Sequence, residues 1–353
     1  MSTSPDRATS PKNKENGGLT LAIIGCGIMG TSILHGLLTA RSSGPPSASN
    51  NSSNINTFIA TVHSMASMER LRTEFHARES RVHILVGNDG VLQAISQADI
   101  VLLACKPYMI EGVLKIAGVR EALGGKLVVS VAVGTKVGKM LAALGIPVRE
   151  GGASLNVKGK DKEGGDNKHI TIVRAMPNLA ASFGESNTVV EISPGMPLSL
   201  RNKNIVRYIF GCIGSIVEVG PGQYDAASVL AAASMAFLTV AIDGILDGGV
   251  KEGIKRAEGR DILVRSLKGL VGLLEGRGEG GGVGMDDGKW DGSVNGNGKA
   301  KVKGNGRTGD EIREQFSSPR GTTIEGLVGL EEDRVRYAYC RSVMMATKRS
   351  LEM

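Results

Sequence analysis

The sequence predicts a doubly wound α/β domain followed by a second, helical domain. Three observations carry that prediction. Short apolar runs alternate with helix-patterned segments up to about residue 220. A glycine turn joins the first of those runs to the first helix. After Asp225 the strand signals stop and helical runs take over. The boundaries that follow are a polar tail over 1–18, an α/β domain over 19–220 and a helical domain over 221–353. Polar insertions fall at 41–56 and 151–169, and a Gly-rich one at 276–310.

The first strand is read from Leu21-Ala22-Ile23-Ile24, and Gly25-Cys26-Gly27-Ile28-Met29-Gly30 then places three glycines in GxGxxG spacing. Ile33, Leu34, Leu37 and Leu38 recur at helical spacing behind them. Each glycine has a distinct use: Gly25 lets the backbone reverse, Gly27 carries no side chain to hold off a pyrophosphate, and Gly30 lets the helix lie close to the strand. The amides and the dipole of the helix start then favour a diphosphate. Three glycines alone are a weak signal in a chain with 50 of them; the strand before and the helix after are what specify a dinucleotide site.

Past the insertion, Phe58-Ile59-Ala60-Thr61-Val62 reads as the second strand, with a helix beginning at Met68. An NAD site expects an Asp or Glu at the end of this strand to hold the ribose 2′-hydroxyl, and none is present. Ser64, Ser67 and Arg70 stand there instead, a set suited to a 2′-phosphate, so NADPH is expected in preference to NADH. The competing reading makes the two serines ordinary helix caps. Val82–Val86 is a third strand, Gly87 to Gly90 a turn before a helix, and Asp99–Cys105 a fourth strand ending at Lys106-Pro107. An apolar run of that kind suits a parallel strand covered on both faces. Lys106 is either a cation at the cofactor crevice or a solvated lysine at a strand end. Further strands are read at Lys126–Ala132 and at Ile170 to Asn178, the latter turning at Pro177.

From Asp225 to Gly249 the pattern is helical, with an uncharged run over Ala226–Ile242. Its marginal length, its alanines and the flanking Asp225 and Asp243 favour a buried helix over a membrane span. The small residues Ala231 to Ser234 suit close packing of helices between subunits. Beyond the third insertion, which holds Trp290, the chain runs through Ser317 to Thr323 and ends in helices to about Leu351.

Composition narrows the function. Four cysteines without a CxxC pair indicate neither a disulfide framework nor a metal site, and a reducing compartment fits. The formal charge of +7 comes largely from Lys12 and Lys14, Lys158, Lys160 and Lys162, and Lys299, Lys301, Lys303 and Arg307, in low-complexity stretches with no interleaved aromatics; nucleic acid is not an expected partner. The polar N-terminal stretch has neither the apolar run of a signal peptide nor an Arg-rich amphipathic pattern, which makes the cytoplasm the expected address. No histidine is paired with an acid or nucleophile in a catalytic arrangement, and Cys26 reads as a small packed side chain.

With these segments in place the chain resembles the pyrroline-5-carboxylate reductases, of the fungal type with a divergent substrate loop. The motifs are the glycine turn with Met29, Ala104-Cys105-Lys106-Pro107, Arg174-Ala175-Met176-Pro177-Asn178, Asp247 to Gly253, and Ser318-Pro319-Arg320-Gly321-Thr322-Thr323-Ile324-Glu325-Gly326-Leu327. The resemblance implies an N-terminal Rossmann sheet followed by an all-α dimerisation domain, with the active site between the cofactor domain of one subunit and the helices of its partner. It implies a homodimer, or a larger homo-oligomer, that reduces a cyclic imino acid with NADPH, giving proline. Nucleotide contacts are implied at Gly25, Gly27, Ile28, Met29, Ser64, Asn88, Ala104, Lys106 and Pro107, and the nicotinamide near Ser130, Met176 and Asn178.

A protonated cyclic imine accepts hydride readily, so the protein has mainly to position it and to anchor its carboxylate. Gly321-Thr322-Thr323, opening a helix at Ile324, suits that anchor; the plain alternative is an N-cap at Thr322 or Thr323. Three departures from the family set this chain apart. Ala232-Ala233-Ser234-Met235-Ala236 stands where relatives have Gly-Ser-Gly-Pro-Ala, Arg320 replaces a glycine of Pro-Gly-Gly-Thr-Thr, and Val240 replaces a hydroxyl residue near the imine. The alternatives these leave open are a related cyclic imine such as piperideine-6-carboxylate, or a catalytically weak NADPH-binding paralogue.

Overall fold

A computed structural model describes residues 18–40, 55–147, 170–193, 198–276 and 306–353. The N-terminal tail up to residue 17, the insertion at 151–169, most of those at 41–56 and 276–310, and the lysines named in them lie outside the described residues. Two compact units are present, Met1–Ala227 with Glu352–Met353, and Ser228–Leu351.

In the first unit the elements run β1 (Leu19–Ile24), α1 (Ile28–Ala40), β2 (Ile55–Val62), α2 (Met65–Phe75), β3 (Val82–Val86), α3 (Gly87–Gln97), β4 (Ile100–Leu103), α4 (Pro107–Leu114), α5 (Val119–Leu123), β5 (Leu127–Ser130), α6 (Val137–Ala143) and β6 (Thr171–Met176). A short 3₁₀ turn (Leu179–Phe183), β7 (Ser186–Glu191), α7 (Leu200–Gly211), β8 (Gly214–Val219) and α8 (Pro221–Ser228) complete it. Among the described residues the sheet has eight strands in the order β3-β2-β1-β4-β5-β6-β7-β8. Strands β1 to β6 pair in parallel, β7 runs antiparallel to β6, and β8 is parallel to β7. The order reverses between β1 and β4, which opens a crevice at the carboxyl edge of the sheet.

The apolar runs become strands because both of their faces are covered. Leu21, Ile23, Leu102 and Val129 pack with Ile33, Leu34 and Leu37 of α1 and Ile209 and Phe210 of α7. The alternate residues Ala22, Ile24, Val101, Leu103 and Val128 pack with Ala94, Ile95, Val119, Leu123 and Met140 on the opposite face.

Several local readings change. Strand β2 begins at Ile55, inside the stretch read as insertion, and α2 begins at Met65, because Ser64 caps it and accepts from the Ser67 amide at 3.3 Å. The residues Gly87 to Gly90, read as a turn, already belong to α3. Strands β7 and β8 escape a sequence reading: Ser186-Asn187-Thr188 is polar for a strand, and β8 alternates without a fully buried residue.

In the second unit a π-turn (Val229–Ala233) leads into α9 (Ser234–Lys251), followed by α10 (Arg256–Glu275), α11 (Gly309–Phe316), α12 (Thr322–Glu332) and α13 (Val335–Glu352). Helix α11 starts inside the stretch assigned to the 276–310 insertion, because Thr308 and Glu311 form a reciprocal capping box. The run from Pro221 to Lys251 is a continuous helix of 31 residues, long and apolar enough to cross a membrane. Read from the sequence as a buried helix, it is only 17% buried over its most apolar window within the chain. Helices α10 and α12 bury no residue at all. Leu238, Ile262, Val328 and Met344 are exposed on these helices, apolar faces that the described residues do not cover.

Gly36 marks the tightest packing of α1. A Cβ there would run into the Ala181 carbonyl oxygen and approach Ile213 Cγ2 to 2.7 Å. Gly36→Ala is therefore expected to destabilise the protein by about 1–3 kcal/mol, read as a lower midpoint in chemical denaturation.

Candidate active site

The glycine turn is held from three sides. The Gly25 amide donates to Thr61 Oγ1 at 3.1 Å, the Cys26 amide to the Thr61 carbonyl at 2.7 Å, and Gly25 packs on the segment after β4 so closely that a Cβ would lie 2.6 Å from Cys105 Cα. Its φ of +85° adds a second reason for glycine. Nothing lies within 4 Å of a Cβ built on Gly27, so the space above that residue is open. A Cβ on Gly30 would lie 3.1 Å from Ile23 Cγ2 and 3.4 Å from Ala104 Cβ, the close helix-to-strand approach its place in the motif requires. The amides of Ile28, Met29 and Gly30 open α1 and have no carbonyl within the helix to donate to. Open space over Gly27 and three amides pointing out of the helix start are what a pyrophosphate requires, and the residues present fit a dinucleotide.

Beside this turn, the end of β2 brings Ser64, Ser67 and Arg70 together. Ser64 Oγ lies 3.0 Å from Ser67 Oγ, and Arg70 lies across the glycine turn, with Nη2 donating to the Cys26 carbonyl at 3.3 Å and Nη1 to Glu74 Oε2 at 2.9 Å. Glu74 Oε1 in turn lies 3.2 Å from His35 Nε2 on α1. Ser64 thus does cap α2, and the hydroxyl pair and the guanidinium sit at the same crevice edge.

The remaining candidates follow along the carboxyl edge of the sheet. Asn88 is exposed in the first turn of α3, after β3. After β4, the Ala104 amide donates to the Ile24 carbonyl at 2.8 Å, Pro107 opens α4, and exposed Lys106 places its ammonium 5.9 Å from the Tyr108 ring. Ser130 ends β5, buried, its Oγ accepting from the Ala132 amide at 3.4 Å. Met176 ends β6, also buried. Asn178 caps the 3₁₀ turn through Oδ1 to the Ala180 amide at 3.0 Å, while its own amide donates to Ser186 Oγ at 3.0 Å. Ile28 stands 77% exposed at the start of α1, and Met65 60% exposed beside Ser64.

The substrate-loop candidates lie in the helical unit. Ser234 donates to the Leu230 carbonyl at 2.5 Å across the π-turn, and Met235, 44% exposed, sits in uninterrupted helix. Val240 on α9 is 71% exposed. Arg320 holds φ at +62°, a backbone region that favours glycine. The helix after it opens at Thr322, two residues earlier than Ile324, and its N-cap is Gly321 with no side-chain cap bond; neither Thr322 nor Thr323 is the capping residue.

Thr61, Glu74 and His35 were not legible as site residues, since a threonine inside a strand and a lone acid on a helix carry no spacing signal. Burial pushes Cys26 up to about 11, against a smaller opposing effect of the Thr31 hydroxyl, and burial likewise pushes Cys105 up to about 11. Among the described residues no group of three or more His, Cys, Asp or Glu side chains is placed to hold a metal ion.

Fold and crevice together define a dinucleotide-binding oxidoreductase of the doubly wound class. Residues 20–134 match the family described as NADP oxidoreductase coenzyme F420-dependent, and residues 221–283 and 292–353 match the pyrroline-5-carboxylate reductase dimerisation family. A pyrroline-5-carboxylate reductase of Lophium arboricola is 32% identical over 95% of this chain and 93% of its own length. That of Neurospora crassa is also 32% identical, over 96% and 94%. A solved pyrroline carboxylate reductase of Plasmodium falciparum with NADP bound covers 95% of this chain and 98% of its own, with a TM-score of 0.66 at 20% identity, a likeness of fold. The chain belongs to the pyrroline-5-carboxylate reductase family.

Because the protein itself leaves room above Gly27, Gly27→Ala is expected to keep the melting temperature within about 2 °C of wild type while weakening NADPH binding about tenfold or more, read by quenching of NADPH fluorescence. The thiols give a separate expectation. Iodoacetamide at pH 8 leaves Cys26 and Cys105 unmodified in the native protein and reaches them only on unfolding, which peptide mass mapping checks.

Proposed function

We propose that this protein reduces 1-pyrroline-5-carboxylate to L-proline with NADPH, the last step of proline biosynthesis, as a homodimer paired through its helical unit. One observation in the α/β unit carries the reading, a glycine turn open above Gly27; in the helical unit an Arg320-Gly321-Thr322-Thr323 loop, whose helix opens without a side-chain cap, supports it separately. The amides of Ile28 to Gly30 hold the pyrophosphate. Ser64, Ser67 and Arg70 hold the 2′-phosphate, which is the basis of the preference for NADPH over NADH. Ser130, Met176 and Asn178 form the floor for the nicotinamide, and Asn88, Ala104, Lys106 and Pro107 border the nucleotide. When bound, NADPH supplies the hydride that the imine carbon accepts.

The chain's own contribution to that step is placement. Amides in the first turn of α12 face the substrate carboxylate, and Thr322 and Thr323 expose their hydroxyls beside them. Val240 has no exchangeable proton to offer the imine nitrogen, so it is not the source of that proton. The exposed apolar faces of α9, α10 and α12 are those that a second copy covers.

Arg320 favours a second reading of the substrate. Its guanidinium is exposed and has no ion pair among the described residues, and the backbone tolerates arginine there only at a conformational cost. A cation retained at that cost pairs with the substrate carboxylate, and with Met235 on α9 it suits a ring other than the five-membered one, such as piperideine-6-carboxylate.

NADPH oxidation followed with pyrroline-5-carboxylate and then with piperideine-6-carboxylate distinguishes the readings. The first substrate is expected to be turned over, with NADPH preferred to NADH. Silence on both, with NADPH still bound, identifies a catalytically weak paralogue. Arg320→Gly is expected to raise the Michaelis constant for the imine about tenfold and to relieve about 1 kcal/mol of backbone strain. Higher activity in that variant identifies the side chain as an obstruction.

A further inference from the structure

Arg174 is a buried charge in the α/β unit with two carboxylate partners, and the functional reading leaves it unused. Its Nη1 donates to Glu191 Oε2 at 2.6 Å, its Nη2 to Asp225 Oδ1 at 3.3 Å, and its guanidinium carbon lies 4.1 Å from the centroid of the Tyr224 ring. The arginine side chain is 5% exposed and each carboxylate side chain 10%. Three elements therefore meet on one side chain: β6 through Arg174, β7 through Glu191, and α8 through Tyr224 and Asp225.

The position of this clamp along β6 is the informative part. Strand β5 pairs with β6 only as far as Ser130 opposite Arg174. Beyond that point Ala175 and Met176 are paired on one edge only, with Val190 and Val189 of the antiparallel β7. The end of β6 is thus an overhang, and Met176, Pro177 and Asn178 are carried on it. Arg174 sits at its root and is fastened to the strand that supports it and to the helix behind it. A buried arginine gripped by two carboxylates has one low-energy geometry, since its planar fork cannot turn without leaving a charge unpaired.

We propose that Arg174 is a positioning residue for the hydride step, with Glu191 and Asp225 as its fixings. It sets where the β6 overhang holds Met176 and Asn178 against the nicotinamide. This rests on the reading that these two residues border that ring. The pyrophosphate is gripped at β1, so loosening the overhang degrades alignment and leaves most of the cofactor affinity intact. An error of about 1 Å in such alignment costs on the order of a hundredfold in rate.

The test compares wild type with Arg174→Met, Arg174→Lys and Asp225→Asn. In the cofactor-free protein, amide exchange over Ala175 to Asn178 is expected to quicken about tenfold in Arg174→Met, with exchange in β1 and β4 unchanged. The dissociation constant for NADPH is expected to stay within about threefold of wild type, while kcat falls about tenfold or more and the deuterium isotope effect from NADPH labelled at the transferred hydrogen rises. Arg174→Lys, which keeps the charge but lacks the fork, falls between the two. If Arg174→Met does not fold, Asp225→Asn decides by the same readouts, with a smaller fall in kcat. The proposal is overturned if exchange quickens evenly across the sheet, or if kcat and the isotope effect stay at wild-type values while only the melting temperature drops. Wild-type protein that binds NADPH but reduces neither imine fails the functional reading instead, and the exchange measurement still reports on the clamp.

Discussion

The close approach of Gly25 to the chain leaving β4 is the constraint on which the crevice depends. Two parallel strands diverge at this point because the chain connects them through helices on opposite faces, and the backbone between them has to turn within van der Waals reach of Cys105. Only a residue without a Cβ fits, and the positive φ is compatible with the same choice. Once the turn is seated there, the start of α1 has a fixed position, and its unpaired amides point along the carboxyl edge of the sheet. Thr61 and Arg70 hold the same turn from β2 and α2, so the nucleotide-binding edge is one connected hydrogen-bonded rim.

That rim divides the work of the α/β unit between two ends of the sheet. The β1–β2 side gathers glycine amides, two hydroxyls and a guanidinium, the set to which the proposed function assigns the phosphates. On the β5–β6 side Ser130, Met176 and Asn178 are buried, with Ser130 Oγ and Asn178 Oδ1 accepting from backbone amides, and the proposed function places the nicotinamide there. Residues bound in this way move little, which suits a surface against which a planar group must lie. The antiparallel β7 extends the parallel sheet at the point where β5 stops, and the buried arginine at that seam explains how a strand end paired on one edge stays in place.

The helical unit follows a different logic. Helix α11 carries the Thr308–Glu311 capping box, and ion pairs from Arg256 to Asp243 and Asp247 join α10 to α9. The helices bury almost nothing against each other, however. Membership of a family with a dimerisation domain supports homo-oligomerisation, in which the exposed apolar residues of this unit have a natural use.

The sequence alone determined the α/β class and the glycine turn, and it singled out Ser64 and Lys106 because each stands just past an apolar strand; Asn88, Ser130 and Asn178 came from the family resemblance, not from strand position. It also located the long apolar helix and the family to which the motifs point. Tertiary structure alone decided the rest. The polar strand Ser186–Glu191 exists because β6 and β8 lie on either side of it, and the Gly321 cap displaces the threonines from the role their residue type suggests. The grip of Glu191 and Asp225 on Arg174 joins residues 17 and 51 positions apart. Periodicity reports what a segment buries; it carries no information on which distant segment supplies the opposite charge, and that pairing is settled only when the strands and the helix have docked.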